Sequence, residues 1–427
     1  MSGFEPTFVD TVESLAQLIL SGDFWLSVAA TLGRAFIGLI VSLLLAFPTA
    51  LLMARYQEAS LLLRPVLSVI RSVPVISFIL IALIFLDPES IPLLIAFIVM
   101  YPLLTENLAS GLKQLDKEKN SVAELFHIGT FNCYAMIIYP QLRPFLFSGL
   151  ASAVGFGWRA IIMGEVLSQC RFGIGSGMKQ AQSFLSLSEL VAWTIIAVVI
   201  SFILDKCVVA LSHCRFHIRF AGEKTLTDTT IDKPLEVHEL QGEYGFTPFS
   251  YTFQAGKIYG ISAPSGAGKT TFLRLLDYRL KPVTGTIVNR PQRIACLFQE
   301  PQLLNHLTVW ENIALAVASF SNQSKANATV HELLKTLEIE DLTDRLPDQL
   351  SYGQQERVAL ARALAFDAPL ILMDEPLKGN DEPLKLRICS YLCSLKQNRL
   401  IIVTSHDETL LNALTDVRID PRHIANP

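Results

Sequence analysis

Residues 257–280 read KIYGISAPSGAGKTTFLRLLDYRL. The run opens as an apolar strand, turns through the Gly-rich PSGAGKTT and continues as a helical FLRLLDYRL, which is the order of a phosphate-binding loop. Gly266 and Gly268 let backbone N–H groups curl round a phosphate, and the helix that follows adds the positive end of its dipole. Ser265, Gly266, Ala267, Gly268, Lys269, Thr270 and Thr271 are therefore candidate nucleotide contacts. Lys269 would reach the β- and γ-phosphates, and the Thr270 hydroxyl would bind Mg²⁺. One residue departs from the usual form of such a loop: a Gly is expected six residues before Lys269, and Ala263 stands there.

Working outward, LILMDE at residues 370–375 is an apolar strand ending in two carboxylates. A buried strand tip can place Asp374 beside the metal and Glu375 beside the attacking water, where Glu375 would serve as general base or water-orienter. ATP and Mg²⁺ are thus the expected cofactors. From Pro234 onward, β-rich runs alternate with helical ones, the pattern of an α/β domain. The polar stretch before it, residues 216–233, reads as a linker.

The first half of the chain is of another kind. The 427 residues are 51% apolar, and the apolar ones concentrate in stretches of the ~20 residues that cross a bilayer. Five are expected: Leu26 to Ala54, Val69 to Leu86, Ile91 to Leu112, Phe145 to Met163, and Leu187 to Leu211. Arg55, Arg64, Lys113, Lys117, Lys119, Arg143, Lys206, Arg215, Arg219 and Lys224 fall in alternate loops, which marks those loops as cytoplasmic. Residues 1–24 carry no Lys or Arg and are expected outside. An odd number of spans then delivers the nucleotide domain to the cytoplasm, where ATP is. The N-terminus lacks the positive region of a secretory signal. Val9, Val12, Leu15, Leu18 and Ile19 share one helical face, suited either to the membrane surface or to packing on the first span. Arg34, Arg159 and Glu165 are the costly residues within the spans; such groups face a pathway or pair with one another. The net charge of -4 shows no basic excess, so no nucleic-acid partner is expected. Cys389 and Cys393, one helical turn apart, read as core, and Cys207, His213, Cys214 and His217 as an interfacial helix end rather than a metal site.

At this point the chain resembles the ATP-binding cassette (ABC) family. LSYGQQERVALARAL, residues 350–364, is similar to its signature motif LSGGQ, with Tyr352 in place of the first Gly. The resemblance implies that Ser351, Gly353 and Gln354 grip the γ-phosphate held by a second subunit. FQEPQLL resembles the Q-loop, which makes Gln299 a Mg²⁺ or water contact. VTSHD resembles the switch region, which makes His406 a γ-phosphate contact. EPLKGND resembles the D-loop, with Lys378, Gly379 and Asn380 replacing Ser-Ala-Leu and Asp381 retained. An aromatic stacking on adenine is implied ahead of the phosphate loop, with Tyr244 and Phe246 as candidates. The implied catalytic residues are Glu375, His406 and Gln299, and the implied metal contacts Thr270, Gln299 and Asp374.

In the membrane half, AELFHIGTFNCYAMIIYPQLRP resembles the coupling loop of ABC importers. Ala123, Glu124 and Leu125 stand at its EAA positions, with Gly129, Pro140 and Pro144 beyond. In that family the loop forms a short helix docked on the ATPase domain. FWLSVAATLGRAFIGLIVSLLLAFPTALL, RSVP and GWRAIIMGEVLSQCRFGIGSGM resemble permeases for nitrate, sulfonate, taurine and related solutes, which have six spans; this chain would carry five. The expected architecture is an external segment (1–24), an α-helical transmembrane bundle like that of type I ABC importers (25–215, with the coupling loop at 114–140), a linker (216–233) and an α/β P-loop cassette (234–427). The expected function is ATP-driven import of a small organic or anionic solute at the cytoplasmic membrane. The partners would be a second copy of the chain and an external solute-binding protein. Export, or ATP-driven motion of a membrane complex without import, is the alternative.

Overall fold

The computed structural model describes residues 8–214, 216–220, 231, 233–242, 248–264, 266–378 and 380–420. Contacts divide the chain into two units: Met1–Leu115 with Gln141–Arg215, and Asp116–Pro140 with Phe216–Pro427.

The first unit is helical. Its elements are α1 (Phe8–Leu20), α2 (Gly22–Arg55), α3 (Gln57–Ser72), α4 (Val75–Phe85) and α5 (Ile91–Lys113). After α6 (Lys117–Leu125) and α7 (Thr130–Asn132), which belong to the second unit, come α8 (Tyr139–Ser168), α9 (Ile174–Ser183) and α10 (Leu187–Ser212). Four helices are long and apolar enough to cross a bilayer alone. The expected span Val69–Leu86 is not one of them. It is split between α3 and α4, which meet at 88°. The cause is local: Pro74 has no N–H to continue the helix and forces the residue before it to be extended, and Val73 sits at φ -70°, ψ 130°.

Side-by-side contacts nevertheless count the bent pair as one crossing. Arg34 lies by Glu89, Gly38 by Ala96 and Thr49 by Tyr101, so α2 and α5 run parallel. A chain that crosses twice in one direction must return in between. The pair does so: Lys113 bonds Ser60, Arg71 pairs with Glu106, and Ile79 and Ala82 pack with Ile91 and Ile95. Its residue numbers therefore rise as those of α5 fall. α8 is antiparallel to α5 as well, with Gly111 against Leu142, Gly157 against Met100 and Gly164 against Pro92. Phe36, Leu44, Phe47, Val198 and Phe202 are exposed, as side chains are where lipid rather than protein surrounds a bundle. α1 divides its apolar face: Leu15 and Leu18 pack with Phe24 and Trp193, while Val9, Val12 and Ile19 remain exposed.

The costly residues of the spans find partners. Glu165 is fully buried and accepts from Arg34 Nη1 (2.7 Å), Thr31 Oγ1 (2.9 Å) and the Gly175 N–H (3.0 Å). Arg34 also donates to Glu89 (2.6 Å) and to the Phe172 carbonyl (2.8 Å). Gly175 is required by closeness, since a Cβ there would lie 2.4 Å from the Ile162 carbonyl. Arg159, in contrast, is exposed and lies over Phe156.

The second unit holds two sheets. Its strands and helices are β1 (Leu235–Gln241), β2 (Phe249–Phe253), β3 (Ile258–Ile261), α11 (Lys269–Leu276), β4 (Thr284–Val288), β5 (Ile294–Leu297), α12 (Val309–Val317) and α13 (Gln323–Thr336). Then follow α14 (Tyr352–Ala365), β6 (Leu370–Asp374), α15 (Glu382–Leu395), β7 (Leu400–Thr404), α16 (Glu408–Leu414) and β8 (Val417–Ile419). β2-β1-β4 form an antiparallel sheet and β5-β6-β7-β3-β8 a parallel one. β3, β5, β6 and β7 are buried at every position, which explains their unbroken apolar runs: a parallel sheet is covered on both faces.

Residues 116–140 pack into this unit. Val122, Ala123, Phe126, Ile128 and Met136 join a core with Leu303, Ile313 and Phe366. Phe126 meets Phe366 edge-on, the Gly129 N–H donates to Ser319 Oγ (2.8 Å), and His306 Nε2 bonds the Met136 carbonyl (2.7 Å). The stretch expected to be linker is also docked where it begins. Arg219 exchanges two hydrogen bonds with Asn132 and lies 3.7 Å over the Phe131 ring, and Phe216 packs on Tyr139. By contact, residues 116–140 and 216–220 group with the nucleotide unit, as docking of a coupling loop on it requires.

Candidate nucleotide site

The parallel sheet sets the site by its strand order. β6, β7 and β3 are neighbours, with Asp374 paired to Thr404 and Ile261 to Thr404 in register. Their carboxyl ends carry Asp374-Glu375, Ser405-His406 and the phosphate loop, so three segments distant in sequence open into one crevice. Ligands of open α/β sheets bind at such strand ends.

The loop has the shape expected of it. Gly266 and Gly268 take φ of 81° and 83°, values that cost a side-chain-bearing residue strain. A Cβ on Gly266 would meet nothing within 4 Å, so this glycine serves conformation and not packing. Ala263 is not among the residues with positive φ. Its methyl therefore carries no backbone penalty, and its carbonyl accepts from Lys269 Nζ (2.6 Å). Lys269 also donates to the Pro264 carbonyl (3.3 Å). Burial holds its ammonium below the usual lysine range, against the opposing pull of Glu375 and Asp374. Thr271 faces Gly242, where a Cβ would come 2.9 Å from its methyl. Ser265 and the adenine candidates Tyr244 and Phe246 lie outside the described residues.

Two of the expected catalytic groups, His406 and Glu375, meet the expected phosphate contact Lys269. Lys269 Nζ lies 2.9 Å from His406 Nε2, and the same nitrogen lies 3.2 Å from Glu375 Oε1. A single imidazole nitrogen cannot accept from the ammonium and donate to the carboxylate at once. His406 therefore chooses between them by its tautomer, and its side chain is half-exposed. Glu375 occupies φ 51°, left-handed for a residue with a Cβ. Strain of this kind persists where surrounding structure fixes it, and it clusters at functional sites. Here the Glu375 N–H donates to the Thr404 carbonyl (2.9 Å), which holds the turn.

Thr270, Gln299 and Asp374 line one cavity of about 300 Å³. Hydroxyl, amide and carboxylate oxygens form a hard donor set suited to Mg²⁺. Asp374 is further fixed by Thr404 Oγ1 at 2.6 Å. Sequence reasoning missed Thr404, although its place beside the switch histidine could have signalled it. It also missed Glu118 and Arg274, which line the same cavity; Glu118 accepts from Gln302, and nothing in the spacing announces that contact.

Ser351 caps α14. Its Oγ accepts from the Gln354 N–H (3.4 Å), while Gln354 Oε1 accepts from the Ser351 N–H (2.9 Å). This reciprocal pair presents a helix N-terminus outward, with Ser351 exposed. Among the described residues, Ser351, Gly353 and Gln354 make no bond to the phosphate loop of their own chain. Asp381 stands at the N-terminal end of α15 in the D-loop without a side-chain bond to its first turn, and Gly379 lies outside the described residues.

Comparison with known proteins adds the following. Residues 246–378 match a family model described as ABC transporter. Residues 38–213 match one described as a binding-protein-dependent transport system inner membrane component. The sulfate/thiosulfate import ATP-binding protein CysA of Pseudomonas syringae pv. tomato is 34% identical over 176 residues, 37% of this chain and 54% of that protein. The chain thus spans about half the length of that relative. The thiamine import ATP-binding protein ThiQ of Shigella flexneri is 34% identical over 186 residues, 40% of this chain and 80% of that protein. Among solved structures, a dimeric ATP-binding cassette bound to ADP and phosphate is 26% identical, covering 44% of this chain and 94% of that one, with a TM-score of 0.40.

Proposed function

The chain belongs to the ABC transporter family, with an inner membrane component fused ahead of its cassette, and from that premise we propose that two copies form an ATP-driven importer for a small organic or anionic solute. The observation that carries the chemistry is the meeting of Lys269, His406 and Glu375 beside the cavity that Thr270, Gln299 and Asp374 line. Lys269 leaves the loop carbonyls to neutralise the β- and γ-phosphates. Glu375 orients the attacking water and accepts its proton, and His406 holds the γ-phosphate. Thr270, Gln299 and Asp374 would hold Mg²⁺, which would supply charge neutralisation for phosphoryl transfer. Ser351, Gly353 and Gln354 of the second copy complete the site.

Import is favoured over export by three features. The relatives are import ATP-binding proteins. The matched permease model is of the binding-protein-dependent kind. Residues 116–140, which resemble an importer coupling loop, are packed into the nucleotide domain. Counting the bent α3–α4 pair as one crossing gives five spans, the odd number that a cytoplasmic cassette and an external N-terminus call for. The likeness to nitrate, sulfonate and taurine permeases supports a small anionic or organic solute, delivered by an external binding protein.

The full chain, reconstituted in liposomes with its cassette outward and the solute-binding protein enclosed in the lumen, is expected to move labelled taurine, sulfonate, nitrate or sulfate out of the lumen when Mg-ATP is added. In that orientation this is the import direction. Its mass in lipid nanodiscs is expected to be that of two chains. ATP-dependent accumulation of solute in the lumen would overturn import.

A further inference from the structure

Helix α14 grips the segment after β5 at two places. At its far end Arg362, buried, donates Nη1 to the Gln302 carbonyl (2.8 Å) and Nη2 to the Pro301 carbonyl (2.9 Å). At its first turn the Tyr352 hydroxyl donates to the Gln299 carbonyl (3.2 Å). One helix thus holds three carbonyls of the four-residue stretch 299–302. The grips differ in kind. Breaking the first would leave a guanidinium and two carbonyls unpaired in a dry setting, which is costly. The second is a single neutral hydrogen bond from a side chain that is 48% exposed, readily broken and remade.

Tyr352 stands where the signature motif carries glycine, and glycine has no side chain with which to make this bond. The hydroxyl also has a second seat. Glu356, one turn further along the same helix, is buried, and its Oε2 has no hydrogen-bond partner among the described residues. A hydroxyl has one proton to donate, so Tyr352 serves either the Gln299 carbonyl or the Glu356 carboxylate.

We propose that Tyr352 is a positioning residue for Gln299: its hydroxyl ties the N-terminus of α14, which reaches for the partner's nucleotide, to the Gln299 backbone of its own chain. The side-chain amide of Gln299 is then set by the same helix movement that completes the opposite site, and the two sites of a dimer report to each other through one hydrogen bond. This rests on the reading of Gln299 given above.

The test is Tyr352→Phe in the full-length chain in nanodiscs, which removes the hydroxyl and keeps the ring. The kcat for Mg-ATP is expected to fall three- to tenfold, with KM for ATP changed less than twofold and the melting temperature unchanged. Amide hydrogen exchange in residues 299–304 is expected to quicken at least threefold. Tyr352→Gly, which restores the family residue, should act in the same direction. Wild-type kcat and exchange in Tyr352→Phe would overturn the proposal. So would a rise in KM large enough to account for the loss, because Tyr352 would then be a nucleotide contact. If the wild-type chain hydrolyses no Mg-ATP, the catalytic reading of Gln299 fails, and the exchange measurement still decides whether the tether exists.

Discussion

Two of the clusters that set a carboxylate near a cation, Glu165 with Arg34 in one unit and Glu375 with His406 and Lys269 in the other, are built to opposite ends. In the membrane unit Glu165 is sealed from solvent and receives hydrogen bonds from Arg34, Thr31 and Gly175. In the nucleotide unit Glu375 holds a left-handed turn and shares one histidine nitrogen with Lys269. The first cluster is satisfied, and a satisfied buried network rigidifies. The second offers one nitrogen two incompatible partners, so its pairing is left incomplete. The same residue classes thus make a lock in one place and a reactive site in the other. The difference lies in how completely the polar atoms are paired.

The largest effect should come from the reactive cluster. Glu375→Gln keeps the shape and removes the proposed base. Turnover is expected to fall about 10²–10⁴-fold, while ATP binding by the purified full chain, followed with a fluorescent ATP analogue, stays within about threefold. Turnover near the wild-type rate would end the distinction between the clusters.

Next comes the lock. Arg34→Ala strands a buried carboxylate, and breaking such a pair costs about 3–5 kcal/mol. A lowered melting midpoint in detergent would report it. Replacing both partners with apolar residues, Arg34→Met with Glu165→Leu, should recover most of the loss, because no buried charge is then left alone and Glu89, which also loses Arg34, is exposed. A double variant as unstable as the single one would show that Glu165 does more than pair.

The smallest effect is expected at Ala263. Its backbone is outside the left-handed region, so Ala263→Gly should alter KM for ATP and kcat less than twofold in a steady-state assay. A larger gain would mean that the methyl obstructs the phosphates despite its ordinary backbone.

How much was legible follows from the range of each interaction. The phosphate loop, the two carboxylates of β6 and the outward cap at Ser351 are made by residues within a few positions of one another, and their spacing announces them. The coupling loop was recognisable from its Glu124 and Gly129 pattern. Its burial around Phe126 against Phe366 was not, since those rings are far apart in the chain. The span at Val69–Leu86 looked continuous because its apolar composition is; Pro74 broke it.

The sequence alone determined that the chain has an apolar helical half, a P-loop half and the motifs of a cassette in order, because periodicity and local spacing suffice to specify these. Only the tertiary structure decided that α2 and α5 run parallel, that Glu165 belongs with Arg34 and not with Arg159, and that Tyr352 holds Gln299. Each of these joins residues dozens of positions apart. Closing such loops costs entropy that only the packed fold as a whole offsets, and no short stretch of sequence records which of the possible closures wins.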